Sequence, residues 1–165
     1  MKLKTLKLSG LLLILACTHV HAQNVQIKNA WVRSSVQGQK ASGAFMTLSA
    51  KESTQLVSVS SPIAGVAEVH EMKMEGGIMK MNAVPALDLP AGKTVELKPG
   101  SYHVMLMDLK STLSKDSTIP MTLTFKDAKG VTSKLDLKVP VLVAAPRAAA
   151  SMDSKPMEHE HDHKH

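Results

Sequence analysis

The chain has 165 residues, of which 44% are hydrophobic and 21% charged, and its formal net charge is +6. This length allows one globular domain with short appendages. The charge is too small to indicate a nucleic-acid-binding surface, and there is no basic stripe with interleaved aromatic residues, since only one Trp, one Tyr and two Phe are present.

The first 22 residues have the three parts of a secretory signal peptide. Three lysines lie within the first seven residues, an apolar run follows over residues 8–16, and Val20 and Ala22 occupy the −3 and −1 positions of a cleavage site. The apolar run is too short for a stable transmembrane anchor. We therefore predict a signal peptide over residues 1–22 and a bacterial protein that is exported to the periplasm.

Cys17 is the only cysteine, and it leaves a second possibility open. The sequence "ILAC" at 14–17 loosely resembles a lipoprotein cleavage box, although Leu15 is bulky for it. Lipidation at Cys17 would anchor the protein to a membrane facing the periplasm. Cleavage after Ala22 would instead remove the cysteine, and the mature chain would have no disulfide, no CxxC redox pair and no thiolate metal site.

Residues 23–144 have the pattern of an all-β domain. Short runs in which apolar and polar residues alternate are separated by Gly, Pro, Asp, Asn and Ser roughly every 8–12 residues, which predicts a β-sandwich or barrel. The "LPAGK" segment at 89–93 is one of the predicted turns. The predicted strands are "VQIKNAWV", "GAFMTLSA", "QLVSVSS", "VAEVHEMK", "TVELKPG", "HVMLMDL", "MTLTFKD" and "SKLDLKVPVLV".

Two of these segments combine histidine with methionine at strand spacing. Residues two apart share a face of a strand. In "HEMKMEGGIMKM" at 70–81, His70, Met72 and Met74 therefore share a face, as do Met79 and Met81, and "EGG" predicts a hairpin turn between them.

In "HVMLM" at 103–107, His103, Met105 and Met107 share a face, and either this face or the opposite one would be the core. The hairpin could bring these side chains together with those of residues 70–81 at one end of a sandwich.

Thioether and imidazole donors together suit Cu(I). A site with no anionic ligand keeps the single charge of Cu(I) and stabilises Cu(II) poorly, and the absence of a cysteine ligand excludes the trigonal blue-copper site. Methionine also fills irregular gaps in cores, so each Met could be packing alone. The spacing by itself does not choose between Met79 and Met81 as a ligand.

The segments "NAWVR", "ASGAFMTL", "VHEMKMEGGIMKM", "LPAGKTVELKPGSYHVMLMDLK" and "IPMTLTF" closely resemble the PCuAC family of periplasmic copper chaperones. The metal motif of that family is His, ten residues, Met, twenty-one residues, His, one residue, Met. His70, Met81, His103 and Met105 match it without departure. The resemblance covers roughly residues 24–142.

The resemblance implies a cupredoxin-like Greek-key β-sandwich with one exposed Cu(I) site formed by these four residues. It also implies delivery of Cu(I) to the CuA-bearing subunit of cytochrome c oxidase, often with a Sco-type copper protein. The other methionines of the two segments would form a sulfur-rich collar; they are Met72, Met74, Met79 and Met107.

Two other functions remain open at this stage. A periplasmic protein that sequesters copper or confers resistance to it, without a dedicated acceptor, would have the same ligands. A redox enzyme or electron-transfer cupredoxin is disfavoured because no cysteine ligand and no acid, base or nucleophile triad is present, so we expect no enzymatic activity.

Residues 145–165 have no apolar period and predict a disordered tail. Alternate positions in "MEHEHDHKH" are histidines, and such tracts bind Cu(II), Ni(II) or Zn(II) through neutral imidazoles. The tail could instead be only a solvated, charged segment. We expect a secondary Cu(II) site there, formed by His159, His161, His163 and His165.

Overall fold

The computed structural model describes residues 24–146, and the predicted signal peptide and nearly all of the predicted tail lie outside this range. The described residues form ten strands and no helix, so the all-β prediction is confirmed; none of them belongs to a helix that could span a bilayer. The strands are β1 (Val25–Arg33), β2 (Ala41–Ala50), β3 (Thr54–Ser60), β4 (Val66–Glu75), β5 (Ile78–Ala83), β6 (Leu87–Leu89), β7 (Thr94–Leu97), β8 (His103–Met107), β9 (Thr118–Asp127) and β10 (Thr132–Leu142).

The strands form two hydrogen-bonded layers that are joined at one side. One layer has the order β5-β4-β8-β2-β1, with β7 pairing to another part of β2, and the second has the order β10-β9-β3-β6. The two layers meet where β1 runs parallel to β10, with Val32 opposite Val141. All other named strand pairs are antiparallel, as expected for a sandwich built from short connections.

Aliphatic side chains from both layers form the core between them. On β8, Val104 and Leu106 are completely buried, and on β10 Val139 and Val141 are as well. The period-two pattern of these strands places their apolar side chains on one face, where burial excludes them from water. The face of β8 that carries His103 and Met105 therefore points away from the core.

Strand β6 was not predicted, because its three residues are too few to show an alternation. Leu87 and Leu89 are nevertheless buried, and β6 pairs with β3 through Thr54 opposite Leu89. The predicted turn at 89–93 overlaps the last residue of β6. Pro90, which cannot donate a ladder hydrogen bond, follows the strand, and Gly92 has φ 69°.

The predicted hairpin is confirmed as β4–β5, and it lies at one edge of the first layer. Its turn consists of Gly76 and Gly77 with φ of 59° and 79°, and positive φ at both central residues is the type I′ geometry that matches strand twist. Within β4, only Val66–His70 pair with β8. The part of the hairpin beyond His70 therefore projects past β8, and every residue of β5 is exposed.

Candidate metal centre

The predicted histidine ligands lie directly opposite one another on the outer face of the first layer. His70 of β4 pairs with His103 of β8, and their ring centroids are 6.2 Å apart. Met105 is two residues along β8 and pairs with Glu68 on one side and Gly43 on the other. These side chains lie on the outer surface of the sheet, near the start of β8 and next to the projecting hairpin.

The hairpin places its methionines in two cross-strand pairs. Met72 is opposite Met81, and Met74 is opposite Met79. Val84 donates its backbone N–H to the carbonyl oxygen of Val69 at 2.8 Å, so these two residues form a hydrogen-bonded pair. The next pair, His70 and Ala83, is therefore non-hydrogen-bonded, as is every second pair from it towards the turn. Both methionine pairs occupy such positions, where opposing side chains are closest.

Three of the four predicted ligands line one cavity of about 310 Å³. His103 and Met105 contribute from β8 and Met81 from β5, so the projecting hairpin and β8 share this cavity. Gly43, Phe45 and Met72 also line the cavity. His70 does not line this cavity, although its ring is beside that of His103, and Met107 lies farther along the same face.

A larger cavity lies away from these residues. Its volume is about 730 Å³, and it lies between the start of β3, residues 88–90 and residues 126–130. Its lining includes no histidine and no methionine. The sulfur and imidazole donors are therefore concentrated at the smaller cavity.

The tautomer of His103 is fixed by the backbone. The ring is buried, and its Nδ1 lies 2.9 Å from the carbonyl oxygen of Ser101. A carbonyl oxygen only accepts, so Nδ1 carries the proton and donates it. The lone pair of His103 is consequently on Nε2, the arrangement in which a second hydrogen bond orients a metal-binding histidine.

His70 has the opposite arrangement. Its Nε2 lies 3.1 Å from Oε2 of Glu68, while its Nδ1 is buried and has no hydrogen-bond partner among residues 24–146. A buried polar atom without a partner is costly, and such atoms need an explanation such as an ion. Nδ1 of His70 is therefore suited to bind a metal ion.

The separation of the two rings is compatible with a shared ion. Imidazole binds zinc at about 2.0–2.1 Å, which would put an ion about 3.2 Å from each ring centre and allow centres up to about 6.4 Å apart. The observed 6.2 Å is within that limit. Together with the thioethers at the cavity, the donor set is soft and neutral, which fits Cu(I) better than a hard cation.

An aromatic wall that the sequence analysis missed closes the other side of the cavity. The ring centroid of Phe45 is 4.6 Å from that of Trp31 and 6.4 Å from that of His103, and the guanidinium of Arg33 lies over Phe45 at 5.6 Å. Trp31 and Phe45 are buried but lie outside the main core cluster. The sequence signal was the apolar run of residues 44–46, which interrupts the alternation of β2. All three residues are buried, so both faces of this strand are covered.

Tyr102, next to His103, is the one described group with a clear pKa shift. A hydrogen bond to the carboxylate of Glu71 raises the pKa of the Tyr102 hydroxyl above 10.0, and partial burial and the negative charges of Glu71 and Asp88 add to this. The phenol therefore stays neutral below pH 10.0.

The predicted tail ligands His159, His161, His163 and His165 lie outside the described residues. The last two described residues, Ala145 and Pro146, line a cavity of about 400 Å³ together with Trp31 and Phe45. Because Phe45 also lines the His103 cavity, Ala145 and Pro146 lie close to the predicted site.

Comparisons with known proteins agree with this fold. The family model described as "Putative lipoprotein LpqE-like" matches residues 25–141. A relative from Leifsonia xyli subsp. xyli, "Putative lipoprotein Lxx21020", is 33% identical over 119 residues, which cover 72% of this chain and 70% of the relative.

Solved PCuAC structures have the same fold. The copper-bound PCuAC domain from PmoF2 aligns with a TM-score of 0.58 at 23% identity, covering 74% of this chain and 94% of that domain. The Cu(I) form of DR1885 from Deinococcus radiodurans aligns with a TM-score of 0.54 at 29% identity, covering 77% of this chain and 85% of that one. The cupredoxin-like form of the all-β prediction is therefore confirmed.

Proposed function

The chain belongs to the LpqE-like, PCuAC-related family, and on that premise we propose that it is a periplasmic Cu(I) chaperone. It binds one Cu(I) through His70, Met81, His103 and Met105 and delivers it to the CuA centre of cytochrome c oxidase. The observation that carries the proposal is the meeting of His103, Met81 and Met105 at one cavity beside a buried, unpartnered nitrogen of His70. The Cu(I) form of DR1885 supports the choice of metal.

The neutral donor set explains how such a protein can carry copper and release it. No ligand has to be protonated to leave, so Cu(I) can pass to an acceptor by exchanging one thioether or imidazole at a time. Cysteine thiolates bind Cu(I) more strongly than thioethers, so a thiolate acceptor sets the direction of transfer. The CuA-bearing subunit is the proposed acceptor, with a Sco-type protein as a possible intermediary.

The ligand assignment is tested by Met81→Leu/Met105→Leu. Leucine has nearly the shape of methionine, so the fold is kept while both thioethers are lost. Anaerobic Cu(I) titration against a competing chelator should show a large loss of affinity. The matched control is Met46→Leu/Met121→Leu, which changes two core methionines and should leave Cu(I) affinity unchanged. Equal Cu(I) affinity of the ligand variant and the wild type would refute the assignment.

Delivery is tested by mixing the Cu(I) protein with an apo CuA domain and following the absorption of the CuA centre. The alternative function is sequestration without an acceptor, and the four methionines beyond the motif and the histidine-rich tail would serve it equally well. It predicts no transfer, and it predicts that a deletion strain is sensitive to excess copper but assembles its oxidase normally at limiting copper.

The tail is proposed to capture Cu(II) and raise the local copper concentration beside the Cu(I) site, which is supported by the position of Pro146 near Phe45. A chain that ends at Ala145 should lose Cu(II) binding and retain the one Cu(I) that is bound by His70, Met81, His103 and Met105. Unchanged Cu(II) stoichiometry would contradict this role.

The cellular location follows from the same proposal. Export is supported by the lipoprotein names of the family and of the Leifsonia relative. We propose a periplasmic protein, either free after cleavage at Ala22 or anchored through a lipid on Cys17. Mass spectrometry of the mature N-terminus distinguishes the two.

A further inference from the structure

The outer half of the β4–β5 hairpin exposes large apolar side chains. Met74 is 60% exposed, Ile78 66% and Met79 46%, and together with Met81 they account for half of the exposed large hydrophobic side chains among the described residues. Clustered apolar exposure usually indicates a functional surface. The two methionines of this tip form the second cross-strand pair, Met74 opposite Met79.

We propose that Met74 and Met79 form a second, weaker Cu(I) position, through which copper enters and leaves the main site. The inference rests on the proposed function, because it takes the ion at the main site to be Cu(I). Both thioethers are on the hairpin face that carries His70, they occupy a non-hydrogen-bonded pair, and both are accessible to an acceptor.

The spacing of the pairs supports transfer between them. Met72 opposite Met81 lies between the tip pair and His70, and successive pairs on one face are about 6.6–6.8 Å apart along a strand. Flexible thioether side chains can bridge such a step. Two thioethers without an imidazole hold Cu(I) less tightly than the main site, so the tip pair leaves room for a third donor from the acceptor.

The test uses the full chain labelled at its methionine methyl groups, titrated anaerobically with Cu(I) and followed by NMR. The first equivalent should shift the methyl signals of Met81 and Met105, and the second should shift those of Met74 and Met79. The core methionines Met46 and Met121 report on any general structural change and should not move. A second equivalent that leaves Met74 and Met79 unshifted overturns the proposal.

Kinetics give an independent measurement. Met74→Leu/Met79→Leu should keep the Cu(I) affinity of the first site within about threefold, whereas transfer to an apo CuA domain should slow at least about fivefold, which is about 1 kcal/mol of activation free energy. An unchanged transfer rate overturns the transfer role. Failure of the proposed function would look different, because the first equivalent would then leave Met81 and Met105 unshifted.

A separate observation, the buried unpartnered Nδ1 of His70, assigns a role to Glu68. We infer that Glu68 is a positioning residue: its carboxylate accepts the Nε2–H of His70 at 3.1 Å and so keeps the lone pair on Nδ1, inside the structure, where Cu(I) binds. His103 has its tautomer fixed the other way by the Ser101 carbonyl, so the two rings present different nitrogens. Hydrogen-bond partners of ligand histidines commonly change metal affinity 10–100-fold.

The nitrogen chemical shifts of the histidine rings in the copper-free protein test this role directly. Wild type should show His70 protonated at Nε2. Glu68→Gln retains an accepting oxygen, so it should keep this tautomer and a Cu(I) affinity within about threefold of wild type. Glu68→Leu should no longer hold this tautomer, and its Cu(I) affinity should fall about 10–100-fold. The His103 signals should be the same in all three proteins. An unchanged His70 tautomer in Glu68→Leu overturns the assignment.

Discussion

Gly43→Ala tests whether the aromatic wall supports the candidate site. Gly43 lines the cavity on β2, opposite Met105, and a Cβ atom there would lie 2.8 Å from Cζ of Phe45. Ordinary contact begins at 3.4 Å, so the Phe45 ring must move by at least the difference, about 0.6 Å. Phe45 is buried against Trp31, which leaves the ring little room.

Overpacking of this kind costs about 1–3 kcal/mol. For a domain of this size, each kcal/mol lowers Tm by about 3–6 °C. Thermal unfolding measures this loss, and the fluorescence of Trp31, the only tryptophan, should change because its partner ring moves. Cu(I) affinity should also fall, since the displaced ring lies next to His103.

A double-mutant cycle makes the reasoning refutable. Phe45→Leu removes the outer ring atoms that the new methyl group would meet, so Gly43→Ala should cost little in that background, giving a coupling energy of about 0.5–3 kcal/mol. An equal loss of Tm from Gly43→Ala in both backgrounds would show that the ring is not the obstacle, and the steric argument would fail.

Three further predictions concern the neighbouring elements. Tyr102 is the only tyrosine, so ultraviolet titration should give a pKa above 10.0, and Glu71→Gln should lower it. Because this pKa is raised, the neutral form of Tyr102 stabilises the folded protein. This stabilisation is present below pH 10.0 and should be lost as pH rises through the folded-state pKa, which unfolding at several pH values will measure. Gly77→Ala should lower the free energy of unfolding by about 1–2 kcal/mol, as chemical denaturation will measure. The cost comes from the φ of 79° alone, because no described atom lies within 4 Å of the added methyl group. Leu106→Ala should cost about 2–5 kcal/mol because the side chain is completely buried, whereas Met105→Leu on the opposite face of β8 should cost less than about 1.5 kcal/mol.

The strands could be predicted because their alternation is set by burial, and the hairpin register followed from its turn. With two glycines as the central residues, Glu75 must oppose Ile78, and Met72 then opposes Met81. The sequence could not show which face of β8 is the core, because Met and Val are both apolar. Only the second layer, which buries Val104 and Leu106 completely, decides it.

Long-range register was out of reach of the sequence for a different reason. Nothing in the alternation of β4 and β8 specifies that His70 opposes His103, since a shift by two residues keeps every side chain on the same face. The family motif selected these two histidines without giving their pairing. The aromatic wall was missed because Trp31 and Phe45 are 14 positions apart and meet only through the pairing of β1 with β2.

Some candidate ligands lie on an interior strand of the sheet, and one lies on an edge strand. His103 and Met105 lie on β8, which has paired neighbours on both sides, whereas Met81 lies on β5, an edge strand whose residues are all exposed. Beyond His70, β4 has one backbone hydrogen bond to the segment before β8, which Met72 donates to the carbonyl oxygen of Ser101. Bending the hairpin away from the sheet would therefore withdraw Met81 without disturbing the core. A carrier needs a ligand that leaves at low cost, and an edge hairpin supplies one where a site inside the sandwich would require the core to open.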